Sequence, residues 1–134
     1  MKILSLFFLL ALVETTQAQR LVVRVENIKD DTGQIGVALY NTEVDFMKKQ
    51  FAGKFAPAKK EGVEVVFENL PPGEYAISIM HDSNANGKID TNFMGIPKEG
   101  YGFSNNVMGS FGPPSFEKAK FKLTDGVIQI KLRY

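Results

Sequence analysis

The sequence predicts an all-β domain: an antiparallel β-sandwich of six to seven strands, with one short helical insertion and one long packed loop. Two observations carry this reading. Apolar side chains recur at every second position in a series of short runs, the period of a strand with one face buried. Between the runs lie clusters of Gly, Pro, Asn and Asp, which supply turn geometry. Neighbouring runs are close enough to be joined as hairpins, so the sheets are expected to be antiparallel.

The elements follow in order. Leu21, Val23 and Val25 alternate with Val22, Arg24 and Glu26 in a first strand, which stops at the turn-rich Lys29-Asp30-Asp31-Thr32-Gly33. Ile35, Val37 and Leu39 form the inner face of a second, and the short gap predicts that the two pair as a hairpin. Thr42-Glu43-Val44-Asp45 reads as a helix N-terminus with Thr42 as cap; Val44, Met47, Phe51 and Phe55 lie close to helical spacing, and Gly53 limits the helix to a few turns. Lys48, Lys49, Lys54, Lys59 and Lys60 decorate this insertion, and in a nearly neutral chain they read as a solvated face. Val63, Val65 and Phe67 resume the alternation, Pro72-Gly73 makes a turn, and Tyr75, Ile77 and Ile79 face the core of the next strand. Phe121 and Leu123 make a short strand, Asp125-Gly126 a hairpin turn, and Ile128, Ile130 and Leu132 the last strand. The segment 82–115 breaks the pattern. It is rich in Gly, Asn and Pro, yet carries Phe93, Met94, Ile96, Tyr101, Phe103, Val107, Met108 and Phe111. That is too apolar for disorder, so it is expected to pack across one end of the sandwich.

The start of the chain reads as a secretory signal: Met1-Lys2 is a short positive region, Ile3 to Val13 is apolar apart from Ser5, and Thr16-Gln17-Ala18 offers small residues for cleavage. Cleavage after Ala18 leaves a single domain over 19–134, exported to the periplasm or secreted, with no membrane span after cleavage. The whole chain has 16 basic and 15 acidic side chains, a formal net charge of +1, which does not favour nucleic acid. It has no cysteine, so an exported fold must hold its loops by packing or by a metal, and no lipid-modified cysteine is available.

One stretch has the spacing of a chemical site. In His81-Asp82-Ser83-Asn84-Ala85-Asn86-Gly87-Lys88-Ile89-Asp90, counting from Asp82, oxygen-bearing side chains stand at positions 1, 3, 5 and 9 with glycine at 6. Asp82, Asn84, Asn86 and Asp90 can each supply an oxygen, and Lys88 its backbone carbonyl. Hard oxygen ligands without cysteine favour Ca2+. Position 12 is Phe93, where a bidentate Glu would stand in an EF-hand, so the expected affinity is weak, with a dissociation constant of about 10⁻⁴–10⁻³ M. The missing ligand could be Glu99, Asn92, a main-chain carbonyl or water. The competing reading makes Asn86-Gly87 a type I′ hairpin turn with Ile89 opening a strand; it leaves the other oxygens unexplained.

His81, the only histidine, shares a strand face with Ile77 and Ile79 and points away from Asp82, so it reads as a satisfied histidine at the end of the core. Ser83, Ser104, Ser110 and Ser115 lack a Gly-x-Ser-x-Gly elbow, and nucleophilic catalysis has few partners to draw on. A second candidate site is the loop around Tyr101, Phe103 and Asn105, whose aromatics could stack on a glycan or hold a peptide, or could instead anchor the loop to the sandwich.

The residues Phe67-x-x-Leu70-Pro71-x-Gly73-x-Tyr75-Ala76, His81-Asp82-x-Asn84-x-Asn86-Gly87-x-x-Asp90, Gly95-Ile96-Pro97-x-Glu99-Gly100-Tyr101-Gly102-x-Ser104-Asn105 and Phe111-Gly112-Pro113-Pro114-x-Phe116-x-x-Ala119 resemble the bacterial domain-of-unknown-function family 2141 (DUF2141). The first part also resembles, more loosely, Ig-like sandwiches of the transthyretin and Cna-B kinds. The resemblance implies an exported bacterial sandwich and carries over no catalytic residue. Three functional classes follow: a non-enzymatic module with a calcium-stabilised loop that binds a small ligand, glycan or envelope protein; an enzyme on cell-surface carbohydrate or peptide at a cleft beside the loop; and a structural envelope protein without metal. A cleft holding His81 beside Asp90 or Glu99 would favour the enzyme.

Overall fold

In the computed structural model, which describes residues 11–13 and 17–134, the alternating runs become strands that bury one face. Strand β1 (Gln19–Glu26) turns Leu21, Val23 and Val25 into the core. Strand β2 (Gln34–Tyr40) does the same with Ile35, Val37 and Leu39, β4 (Val63–Leu70) with Val63, Val65 and Phe67, and β5 (Glu74–Asp82) with Tyr75, Ile77 and Ile79. Strand β3 (Ala52–Pro57), β6 (Tyr101–Phe103), β7 (Phe121–Lys122) and β8 (Gly126–Lys131) complete two sheets. One has three strands in the order β4-β1-β8; the other runs β3-β2-β5-β6, with β7 also on β5. The inner faces meet in one core, so the all-β sandwich stands. The signal segment expected over 1–18 falls largely outside the described residues; β1 opens at Gln19.

The connections differ from the expected hairpins. β1 and β2 do not pair: β1 lies between β4 and β8, and β2 between β3 and β5. Each strand's buried face is the same whether its sequence neighbour lies beside it or across the core, and here β1 and β2 stand in opposite sheets with those faces toward one core. The segment 27–33 therefore crosses between sheets, as does the turn at Pro72-Gly73. Asp125-Gly126 is likewise no hairpin. β7 pairs with β5 in one sheet, and β8 pairs parallel with β1 in the other. The Asp125 carboxylate accepts from Arg20 N at 2.9 Å, which docks the start of β8 beside β1.

The helical insertion is also corrected. Thr42 does cap, its Oγ1 accepting from Asp45 N at 3.2 Å, but only turns follow. Met47 takes a left-handed φ of 60°, which stops a helix, and the chain enters β3 five residues later. Val44, Met47, Phe51 and Phe55 are consequently exposed, and Phe46 turns inward instead, edge-on to Tyr40 and to Phe116. Among the described residues the α-helix, α1 (Phe116–Ala119), is a short one that lies elsewhere, capped by Ser115.

The long segment packs only in part. Phe103 is buried in β6, whereas Phe93, Met94, Ile96 and Phe111 are exposed. Ser104 explains how its second half is held. Fully buried, its Oγ accepts from Ile77 N at 2.9 Å and donates to Ala119 O, bridging the gap in the edge of β5 between β6 and β7. Ser104→Ala leaves a buried amide and a buried carbonyl unpaired, so urea denaturation is expected to show a loss of about 2 kcal/mol. Ser110→Ala, at an exposed serine, is expected to stay within about 0.5 kcal/mol.

Candidate functional site

The 82–90 loop leaves the end of β5 and winds around Asp82. That carboxylate is fully buried; Oδ1 accepts from Asn86 N at 3.1 Å, and Oδ2 from Gly87 N at 2.7 Å and Gln34 Nε2 at 2.9 Å. Burial alone would raise its pKa. The bonds from Gln34, Gly87 and Asn86 outweigh that and hold the carboxyl below its ordinary value. Gly33 lies against the same turn, with no room for a side chain before Asp82 O and the Ser83 backbone.

Of the four side chains picked out by the spacing, Asn84, Asn86 and Asp90 meet, while Asp82 turns to the loop's own amides. Asn84 Nδ2 and Asn86 Nδ2 donate to the two oxygens of Asp90, at 2.5 and 2.9 Å. Asn84 Oδ1 accepts from Asn86 N, and Asn86 Oδ1 from Lys88 N. The bond from Asn86, with others from Asn84 and Glu99, keeps Asp90 below the usual carboxylate range, against the opposing effect of desolvation. A type I′ hairpin needs positive φ at both central residues, but among Asn86 and Gly87 only Gly87 has it, at 82°; the other left-handed residue is Ala85, and no strand starts at Ile89.

Two residues outside the expected ligand set complete this end of the fold. Glu99 is buried, its Oε1 accepting from Ser83 Oγ at 3.1 Å and its Oε2 from Asp90 N at 3.2 Å. It was one of four alternatives for the missing oxygen. Gln34 enters from β2, with no signal in the sequence beyond its place at the mouth of a strand. Among the described residues, no three His, Cys, Asp or Glu side chains form a metal-holding group. The oxygen set is instead mixed: the Asp90 carboxylate between two amides, with Glu99 behind it. For a hard cation such as Ca2+ the two amides would have to present oxygen to the ion, giving up their bonds to Asp90 and, on rotation, those that Asn84 Oδ1 and Asn86 Oδ1 accept from Asn86 N and Lys88 N.

His81 is 2% exposed and fully engaged. Nε2 lies 2.7 Å from Thr32 O, which can only accept, so Nε2 carries the proton. Nδ1 then accepts from Tyr134 Oη at 2.8 Å, and that hydroxyl accepts from Lys29 N. The charged neighbour of the ring is Asp30, at 3.8 Å, and neither Asp90 nor Glu99 touches it. The imidazole thus fastens the C-terminal Tyr134 to the 27–33 crossing, as expected of a histidine at the end of the core.

Of the second candidate site, Tyr101 is half-buried, Phe103 is buried, and the Asn105 amide donates to Lys118 O and Lys120 O. Phe103 and Asn105 hold the segment in place, which leaves Tyr101 facing out. It belongs to a row that the sequence does not reveal: Phe55, Gly36, Met80 and Tyr101 are successive cross-strand partners on one sheet face. A hollow of about 210 Å³, lined by Gly33, Gln34, Phe55, Ala56, Pro57 and Ala85, lies between that row and the loop.

A family model described as "Uncharacterized protein conserved in bacteria (DUF2141)" matches residues 23–131. The chain belongs to the DUF2141 family. The match spans both sheets and the whole 82–115 segment, so the DUF2141 unit is this sandwich with its loop. No curated protein and no solved structure matches the chain. No helix among the described residues is long and apolar enough to cross a membrane.

Proposed function

We propose that this DUF2141 protein is an exported, non-enzymatic binding module whose 82–90 loop is closed by Ca2+. The observation that carries the reading is the convergence of Asn84 and Asn86 on the Asp90 carboxylate, beside Glu99, on a loop already wound around Asp82. Asp90 is the one carboxylate of this set partly open to solvent, and a cation there would replace amide hydrogens with amide oxygens. Lys88 supplies its carbonyl and water the remaining positions. With no cysteine in the chain, the ion takes the part of a cross-link. His81 is enclosed and turned to Thr32 and Tyr134, which speaks for binding over catalysis. The Phe55-Met80-Tyr101 row beside the loop suits a glycan or an extended envelope peptide, which stack on or lie along aromatic surface. The start of β1 at Gln19, directly after the expected cleavage site, accords with export.

Thermal melting of 19–134 tests the metal. Calcium at ten times its dissociation constant is expected to add about 1.4 kcal/mol, raising Tm by roughly 5 °C. Magnesium is expected to give less, and Asp90→Ala no response. Equal melting of the wild-type domain in calcium and in chelator would sink the metal reading. For the ligand, glycan and envelope-peptide screens should lose their hits in Tyr101→Ala; unchanged binding would remove the row from consideration.

A further inference from the structure

The turn 91–98 presents Phe93, Met94 and Ile96 to solvent at 98, 70 and 54% exposure. The turn is closed by its own hydrogen bonds. Thr91 and Pro97 form an isolated antiparallel bridge, Asn92 N donates to Ile96 O at 2.8 Å, and Gly95 N donates to Asn92 O at 3.0 Å. The Asn92 side chain closes the apex, its Oδ1 accepting from Met94 N at 2.9 Å and from Ile96 N at 3.0 Å. Pro97 has no amide hydrogen, and Lys98 N donates to Asp90 O. The amides of Asn92, Met94, Gly95, Ile96 and Lys98 are thus met within the loop, those of Thr91 and Phe93 are not, and three apolar side chains stand at the apex, which suits the headgroup boundary of a lipid surface, where water and headgroups supply the remaining bonds.

The charges around the tip point the same way. Lys88 and Lys98 are exposed, whereas Asp82 and Glu99 are buried and Asp90 is occupied by its neighbours' amides. The side chains offered to an approaching surface are therefore apolar at the centre and basic at the flanks. We infer that the 91–98 turn is a docking tip for an anionic lipid surface, with Phe93, Met94 and Ile96 entering the interface and Lys88 and Lys98 meeting the headgroups. Because Asp90 O receives the Lys98 amide, the tip is fastened to the loop beneath it. If the calcium reading above holds, the ion adds positive charge on that side and strengthens the docking.

Co-sedimentation of the 19–134 domain with phosphatidylglycerol/phosphatidylcholine vesicles tests this, with pure phosphatidylcholine vesicles as control. Wild type is expected to bind the anionic vesicles in low salt and to be released as salt rises. Phe93→Ser with Met94→Ser, both at exposed sites, should leave the melting temperature unchanged and weaken binding by about tenfold or more. No binding by wild type, or equal binding by wild type and the double variant, would overturn the proposal. So would saturable capture of a soluble envelope protein at the tip with vesicles ignored. Binding that persists in chelator but falls in the double variant supports the docking while removing calcium from it. A calcium-dependent melt with no vesicle binding would do the reverse.

Discussion

Gly33→Ala is expected to destabilise the domain by about 3 kcal/mol, combining a left-handed backbone penalty of roughly 1–2 kcal/mol with overpacking against fixed atoms of roughly 1–3 kcal/mol. Gly33 has φ 71°, and an added Cβ would stand 2.1 Å from Asp82 O and 2.6 Å from Ser83 Cα. Those atoms belong to the backbone at the base of the loop and cannot swing aside as a side chain would. Urea denaturation should show the loss as a lower midpoint at constant slope. Gly87→Ala makes the informative comparison. It meets no atom within 4 Å, so only its φ of 82° is penalised and the loss should be nearer 1 kcal/mol. Equal losses at the two glycines would mean that the close approach of the 27–33 crossing to the loop base is wrong.

Asp82→Ala is expected to remove about 3 kcal/mol, because two backbone amides and the Gln34 amide lose a charged acceptor inside the fold. The Asp82→Asn variant retains one acceptor oxygen and should lose less. The same carboxylate sets an acid limit. Its folded pKa is lowered, so the stabilisation is fully present above the unfolded value of about 3.9 and is lost as pH falls through the lower folded value. Denaturation midpoints of wild type should therefore drop below about pH 4, and Asp82→Asn should show a shallower fall over the same window. Parallel acid profiles for the two proteins would show that Asp82 is not the group responsible.

The inner faces of β1, β2, β4 and β5 were legible because branched and aromatic residues recur there at every second position. Two strands were not. β3 reads Ala-Gly-Lys-Phe-Ala-Pro and lacks branched residues; it is a strand because β2 offers it an edge, with Lys54 reaching across to Val66 O and lying over the Phe67 ring. β6 is three residues long and depends on Gly102, where an added Cβ would lie 3.0 Å from Lys131 O. Pairing partners were illegible for a different reason. Alternation says which face is buried, not which strand lies alongside, so it cannot separate a hairpin partner from a strand that stacks across the core, as β2 does on β1. Apolar content in 82–115 had the same ambiguity. It identified an ordered segment but could not separate Phe103, which anchors it, from Phe93, which stands outside.

At the loop, local spacing brings the Asn84, Asn86 and Asp90 side chains into contact, whereas the Asp82 carboxylate is taken up by the Asn86 and Gly87 amides and by Gln34. Gln34 and Gly33 come from β2 and its approach, and only the fold brings them there. The organisation is thus layered: Asp82 and Gly33 fix the base, the two asparagines meet Asp90 above it, and Glu99 holds Asp90 N and Ser83 Oγ from behind. Stability should follow the first layer and metal affinity the second, so variants at Asp90 and at Gly33 should separate cleanly.

Isothermal titration of calcium into the 19–134 domain decides whether the 82–90 loop holds a metal. A single site with a dissociation constant of about 10⁻⁴–10⁻³ M is expected, retained in Tyr101→Ala and abolished in a folded Asp90→Ala. No calcium heat in the wild-type domain, or the same isotherm in Asp90→Ala, would mean that the loop does not hold calcium through Asp90.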